Sequence, residues 1–457
     1  MLKPEMARSS ISFHCPQLLL LLITTIISLF FQGEAAQPSL HPKALVLPVA
    51  KDSSTLQYLT TSLGQRTPPV YLPLVVDLGG QYLWNDCETG FVSSSHKVVQ
   101  CRTASCSLSR SQECGYCFRP VGPDCGNTSC KIWPNNPVRQ FATNGDLIQD
   151  VLVIRSTDGS NPGGLVKASK FLTGCTGTNF LELLANGANG MAGLGRADTS
   201  MPSQLAATFS FDRKFAVCLG RKGVVLFGDG PYHFLPNDNI DFSKSLTYTP
   251  LLGNKVSTAA ASFPGEPSTE YFIGVKSIKV NDKPVSVNST LLKINSQGYG
   301  GTKLSSVNPY TVMESSIYAA VTTAFRIEMA RFQTVPAVAP FALCYNSTHI
   351  LYNQEGPDVP RIDLVLQSSK VYWRIYGTNS MVKVSKDVLC LGIIDGGLSF
   401  QTSPETSTGL VTSIVIGGHQ LENNLLQFDL AASKLGFSSS LLQRQTTCSG
   451  FNFTSTA

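Results

Sequence analysis

A motif that recurs at long range constrains this chain more than any local signal. In the first half, LVVDLGG places Asp77 before a glycine pair, and GMAGLG brings a second apolar run to glycine at Gly193. In the second half, SIVIGG does the same at Gly417. Such self-similarity is the signature of duplicated units. The spacing from Asp77 to Gly193 is 116 residues, and the same step back from Gly417 falls within GYGGTKLSS, Gly298–Ser306. A D-x-G position in one half is therefore expected to face Tyr299, Gly300, Gly301 and Thr302 in the other.

Between these landmarks the pattern is strand. VYLPLVVDL, QYLWND, DVLVIRST, KFAVCLG, GVVLFGD, YFIGVKSIKV, IDLVLQS, VYWRIYG, LCLGIID and LLQFDL are β-branched or aromatic runs bounded by Gly, Pro, Asn or Asp. Helical spacing is best over Pro309–Phe332, with proline at its start. An all-β chain with few helices is expected. Charged residues make up only 14%, and there are 38 Gly and 26 Pro, which argues against coiled coils and helical arrays. A hydrophobic share of 42% excludes intrinsic disorder. The formal charge is +5 without a clustered basic stripe, so nucleic acid is not an expected partner.

Lys3 and Arg8 precede the apolar run Leu18–Phe31, and GEAAQP follows with small residues at Ala35 and Ala36. This is the layout of a secretory signal peptide, expected over residues 1–35. The run is short for a membrane span, so no membrane association is expected after its removal. Of 13 cysteines, Cys15 leaves with the leader, and twelve remain: Cys87, Cys101, Cys106, Cys114, Cys117, Cys125, Cys130, Cys175, Cys218, Cys344, Cys390 and Cys448. An even count in a secreted chain implies disulfides. Cys114 and Cys117 have no histidine at metal-ligand spacing, so neither metal nor cofactor is expected. Sequons at Asn127, Asn288, Asn346 and Asn452 mark expected glycosylation sites.

VVDLGGQYLWNDC, GMAGLGRADTSMPSQL, ALCYNSTHI, VPRIDLVL and SIVIGGHQLENNLLQFDLAASKLGF resemble the pepsin-like aspartic proteases of plants. The chain is more similar to their non-proteolytic branch: extracellular dermal glycoprotein, basic 7S globulin, and the xylanase and xyloglucan-endoglucanase inhibitors. The resemblance runs from about His41 to the C-terminus. It implies an all-β, bilobal, disulfide-rich pepsin-like fold, with an N-terminal lobe over 36–245 and a C-terminal lobe over 246–457. It also implies the pairs Cys218–Cys448, joining the lobes, and Cys344–Cys390. The remaining eight cysteines would form four bridges in the first lobe. Divided there, the lobes hold nine and three cysteines, so complete pairing requires a bridge between them.

Aspartic peptidases need two facing carboxylates that share a proton, one from D-[ST]-G in each lobe. Here Asp77 and Gly79 persist, but Leu78 replaces the hydroxyl residue, and the second position offers Tyr299, Gly300 and Gly301. Asp395, in IIDGG, lies only 22 residues before Gly417 and is not the missing acid. The stretch matching the family's flap, NNPVRQFATNGDLIQD, lacks its tyrosine. Asp77 is therefore read as a vestigial structural acceptor, and the chain as no enzyme.

The resemblance implies a secreted, monomeric apoplastic protein of plant defence that binds and inhibits a microbial cell-wall-degrading glycoside hydrolase. A glycosidase cleft carries two carboxylates, which an inserted cation or donor satisfies. The inhibitory segments of the family map to Arg326–Pro340 and Gly396–Thr412. The second holds no Lys or Arg, so its candidates are Phe400 and Gln401, and those of the first are Arg326, Arg331 and Phe332. The alternatives are a globulin-type binding or storage protein of wall or seed, and an active aspartic endopeptidase.

Overall fold

The computed structural model describes residues 42–115, 128–263, 265–399 and 410–454. The expected leader, Cys117, Cys125, Asn127, Phe400 and Gln401 lie outside them. The described residues fall within one compact unit, Pro42–Ala457. Strands carry the structure, and the five α-helices among the described residues are short, the longest being Ser315–Glu328. No described helix is long and apolar enough to cross a membrane.

The backbone of the molecule is an antiparallel run of six strands drawn from both halves. In order they are Ala44–Lys51, Lys222–Gly228, Lys214–Cys218, Leu425–Asp429, Lys434–Phe437 and Thr247–Leu252. The central pair is Lys214–Cys218 against Leu425–Asp429, so the two halves join through a β-ladder. Phe215 lies opposite Phe428, and their rings stack at 4.7 Å. Tyr271 packs on Phe428 at 4.5 Å and donates its hydroxyl to the Leu194 carbonyl at 2.7 Å. Such ring pairs contribute about 0.5–1.5 kcal/mol each beyond their burial. Cys218–Cys448 spans 230 residues and fastens the chain's end to this ladder. Cys344–Cys390 closes a smaller loop, and Cys87–Cys175, Cys101–Cys114 and Cys106–Cys130 confine the first half.

The repeat appears as two matching arches. Leu74–Asp77 runs parallel to Gly190–Gly193, and Thr302–Leu304 runs parallel to Ile414–Ile416. The first of these strands is buried throughout, which is why LVV reads as a continuous apolar run rather than an alternating one. Glycine ends both arches because the backbones touch. A Cβ on Gly193 would sit 2.2 Å from the Tyr82 carbonyl oxygen, and one on Gly417 would sit 2.2 Å from the Tyr310 carbonyl carbon.

The helix expected over Pro309–Phe332 is shorter than that. Thr311–Met313 is a strand, pairing with Ile393–Asp395 and Ile414–Ile416, and Glu314 caps the helix by accepting from the Ser316 and Ile317 amides at 2.9 and 3.2 Å. A short apolar run fits either period, and here the buried sheet claims the β-branched Thr311 and Val312.

Candidate functional site

Asp77 ends the first arch and is only 8% exposed. Its Oδ1 accepts the Gly79 amide at 2.9 Å. Burial pushes the Asp77 carboxyl up to about 6; the Gly79 and Gly80 amides and Lys303 hold it down, while Glu270 raises it.

Sheet register corrects the expected second-lobe position. Asp77 lies opposite Gly193. In the second arch Leu304 lies opposite Ile416, so Ser305, which donates its amide to the Ile416 carbonyl, stands beside Gly417. Ser305, not Tyr299–Gly301, is the counterpart of Asp77. The step from Ser305 to Gly417 is 112 residues rather than 116. Loops between arches vary freely in length, whereas ladder hydrogen bonds fix register. Tyr299–Gly301 lies in the preceding turn, where the Gly300 amide donates to Val411 and the Gly301 amide to Leu291.

Ser306, the counterpart of Leu78, keeps the locking hydroxyl. Its Oγ donates to the Val76 carbonyl at 2.7 Å and accepts the Leu78 amide at 3.0 Å. One buried serine thus ties the two arches together. Leu78 returns nothing, so the lock is one-sided. The Ser305 hydroxyl is turned to its own loop, donating to Asn308 Oδ1 at 2.9 Å.

Sequence reasoning missed a second feature. Glu270 packs on the Asp77 loop: its Cγ lies 2.8 Å from where a Gly79 Cβ would be. Its Oε1 is 2.7 Å from Lys303 Nζ, and its Oε2 takes the hydroxyls of Thr258 and Ser268. Thr269 also donates to the Gly79 carbonyl at 2.7 Å. No local motif announces this group, because strand pairing of Phe272 with Lys303 assembles it.

The stretch matched to the flap opens as a hairpin, Asn135–Asn136 against Phe141–Ala142. Phe141 is 44% exposed, with the Arg139 guanidinium 4.8 Å from its ring. Asp395 is exposed at a strand end, accepting from Ser315 Oγ and the Gly397 amide.

Arg326 lies in the last turn of Ser315–Glu328, where a cation complements the helix dipole. Arg331 and Phe332 lie past that end, the guanidinium 4.8 Å from the ring. Both line a cavity of about 490 Å³ with Asn346, Thr348 and Leu351. Three sequons share one turn: the Oδ1 atoms of Asn288, Asn346 and Asn452 accept the amide and hydroxyl of Thr290, Thr348 and Thr454, respectively.

Residues 58–229 match the family described as xylanase inhibitor N-terminal, and 270–439 the one described as xylanase inhibitor C-terminal. A Nicotiana benthamiana protein named probable aspartic proteinase GIP2 is 54% identical over 439 residues, covering 94% of this chain and 97% of that one. Basic 7S globulin of Glycine max is 34% identical, covering 91% and 92%. The crystal structure titled edgp superposes with a TM-score of 0.87 at 54% identity, covering 92% and 100%. An aspartic proteinase from Irpex lacteus, 15% identical with a TM-score of 0.51 and coverages of 88% and 99%, shares the fold alone. The chain therefore belongs to the xylanase-inhibitor-like branch of the plant pepsin-like aspartic protease homologues.

Proposed function

We propose that this chain is a secreted, catalytically silent aspartic protease homologue that inhibits microbial cell-wall-degrading glycoside hydrolases of the endoglucanase and xyloglucanase class in the plant apoplast. The register at Ser305 is the observation that carries the silence. Peptidase chemistry needs two carboxylates sharing a proton, and Asp77 has a serine as its counterpart. Glu270, packed on the same loop, is engaged by Lys303 and Thr258 and makes no hydrogen bond to Asp77.

Membership of a family described by xylanase inhibition supports the inhibitory role. Binding falls to the exposed rim of the second half, with Arg331 and Phe332 as contact residues and Phe400 and Gln401 in the second segment. Arg326 serves the helix end. We assign residues 1–35 as the leader, 36–245 and 246–457 as the two lobes, and Asn127, Asn288, Asn346 and Asn452 as glycan acceptors on a monomeric glycoprotein. The test is titration of a panel of fungal endoglucanases and xylanases with the purified mature chain. Stoichiometric loss of activity with a one-to-one complex by gel filtration is expected. No slowing and no complex across the panel would overturn inhibition and leave the globulin-type role.

A further inference from the structure

Away from the Asp77 loop, a cavity of about 300 Å³ opens beside Tyr372–Ile375, the edge strand of a four-stranded sheet. Strand alternation puts Tyr372 and Arg374 on one wall, with Lys370 ahead of them. The serine run Ser438–Ser440 and Arg444 also line it. Every charged residue in the lining is a cation. Arg374 is matched by Asp363 at 2.6 Å and by Asp282 at 3.1 Å. Two acids stand next to the lining: Asp241, which takes the Tyr232 and Ser243 amides and lies 3.7 Å from Lys244 Nζ, and Glu355, which accepts from Gln443 Nε2 at 2.8 Å and keeps its charge. Lys370 and Arg444 are exposed, line the cavity and form no ion pair with any described residue, so both ammonium and guanidinium are open to an anion there.

The serines add directed donors. The Oγ atoms of Ser438, Ser439 and Ser440 accept the amides of Leu425, Arg374 and Leu442 at 3.0, 3.3 and 3.3 Å. A hydroxyl that already accepts still carries a proton to give, and no described residue takes it from any of the three. Tyr372 is 38% exposed and presents a ring beside them. Free cations suit a carboxylate through charge-assisted hydrogen bonds, a row of hydroxyl donors suits other hydroxyls, and an exposed ring suits the apolar face of a pyranose.

We propose that this cavity binds an acidic saccharide, with a uronate carboxylate between Lys370 and Arg444, its hydroxyls at Ser438–Ser440 and its ring against Tyr372. The site is separate from the hydrolase-binding rim, and neither reading depends on the other. Calorimetric titration of the full mature chain with trigalacturonate, cellotriose and inorganic sulfate tests it. Trigalacturonate is expected to bind and to weaken with added salt, with no binding of cellotriose. The K370A/R444A double variant is expected to lose about tenfold or more in affinity, in line with one or two lost charge-assisted hydrogen bonds. Tyr372→Ala is expected to weaken trigalacturonate and leave sulfate unchanged. Circular dichroism and an unchanged denaturant midpoint establish that the variants fold. No trigalacturonate binding by the wild type, binding unchanged in both variants, or sulfate bound as tightly as trigalacturonate would overturn the proposal.

Discussion

The Asp77 carboxyl offers a quantitative test because its surroundings oppose its charge. Burial raises it from 3.8 to about 6, a difference of about 2 units, and each unit corresponds to about 1.4 kcal/mol. The sign follows from proton counting. Below pH 3.8 both folded and unfolded chains carry the proton, and nothing is lost. Between about pH 4 and 6 the unfolded chain ionises while the folded one keeps its proton, so stability falls as pH rises. Above about pH 6 both are ionised, and the folded state bears a constant penalty of about 3 kcal/mol. Asp77→Asn removes the titration yet keeps an oxygen for the Gly79 amide. Denaturant unfolding at pH 4, 5, 6 and 7 should show the variant gaining about 2.4 kcal/mol on the wild type across the series, the first part of the penalty falling below pH 4. Parallel stability curves would refute the argument, since other acids contribute equally to both proteins.

Three further perturbations probe the frame. Ser306→Ala leaves the buried Leu78 amide and Val76 carbonyl without their partner, and a loss of about 2 kcal/mol in unfolding free energy is expected. Removing the Cys218–Cys448 bridge by paired serine substitution should destabilise more than removing Cys344–Cys390. Their separations are 230 and 46 residues, so loop-closure entropy sets the difference at about 1.4 kcal/mol, read as a larger fall in denaturant midpoint. Glu314→Ala removes the side-chain cap of Ser315–Glu328 and should lower stability by about 1 kcal/mol.

What could be read from residues alone follows the physics of each feature. Gly193 and Gly417 stood out because backbone contact excludes any side chain there, and such a requirement survives as a fixed letter. The bridge joining the halves followed from cysteine parity, and Cys218–Cys448 supplies it. Ser305 was hidden because a step counted along the chain includes loops, whose lengths vary, whereas register is a property of paired strands. The Glu270–Lys303 pair was hidden for a related reason: Phe272 opposite Lys303 brings together residues with no sequence relation. The helix start was displaced because Thr311–Met313 fits strand and helix alike, and only the buried neighbours decide.

The account turns on the second carboxylate, and the most direct measurement is incubation of the purified mature chain with denatured haemoglobin at acid pH, with and without pepstatin. No fragments in either case is the result the proposed silence predicts, with Ser305 as the counterpart of Asp77 and Glu270 held by Lys303 and Thr258. Cleavage that pepstatin blocks and Asp77→Asn abolishes would contradict it.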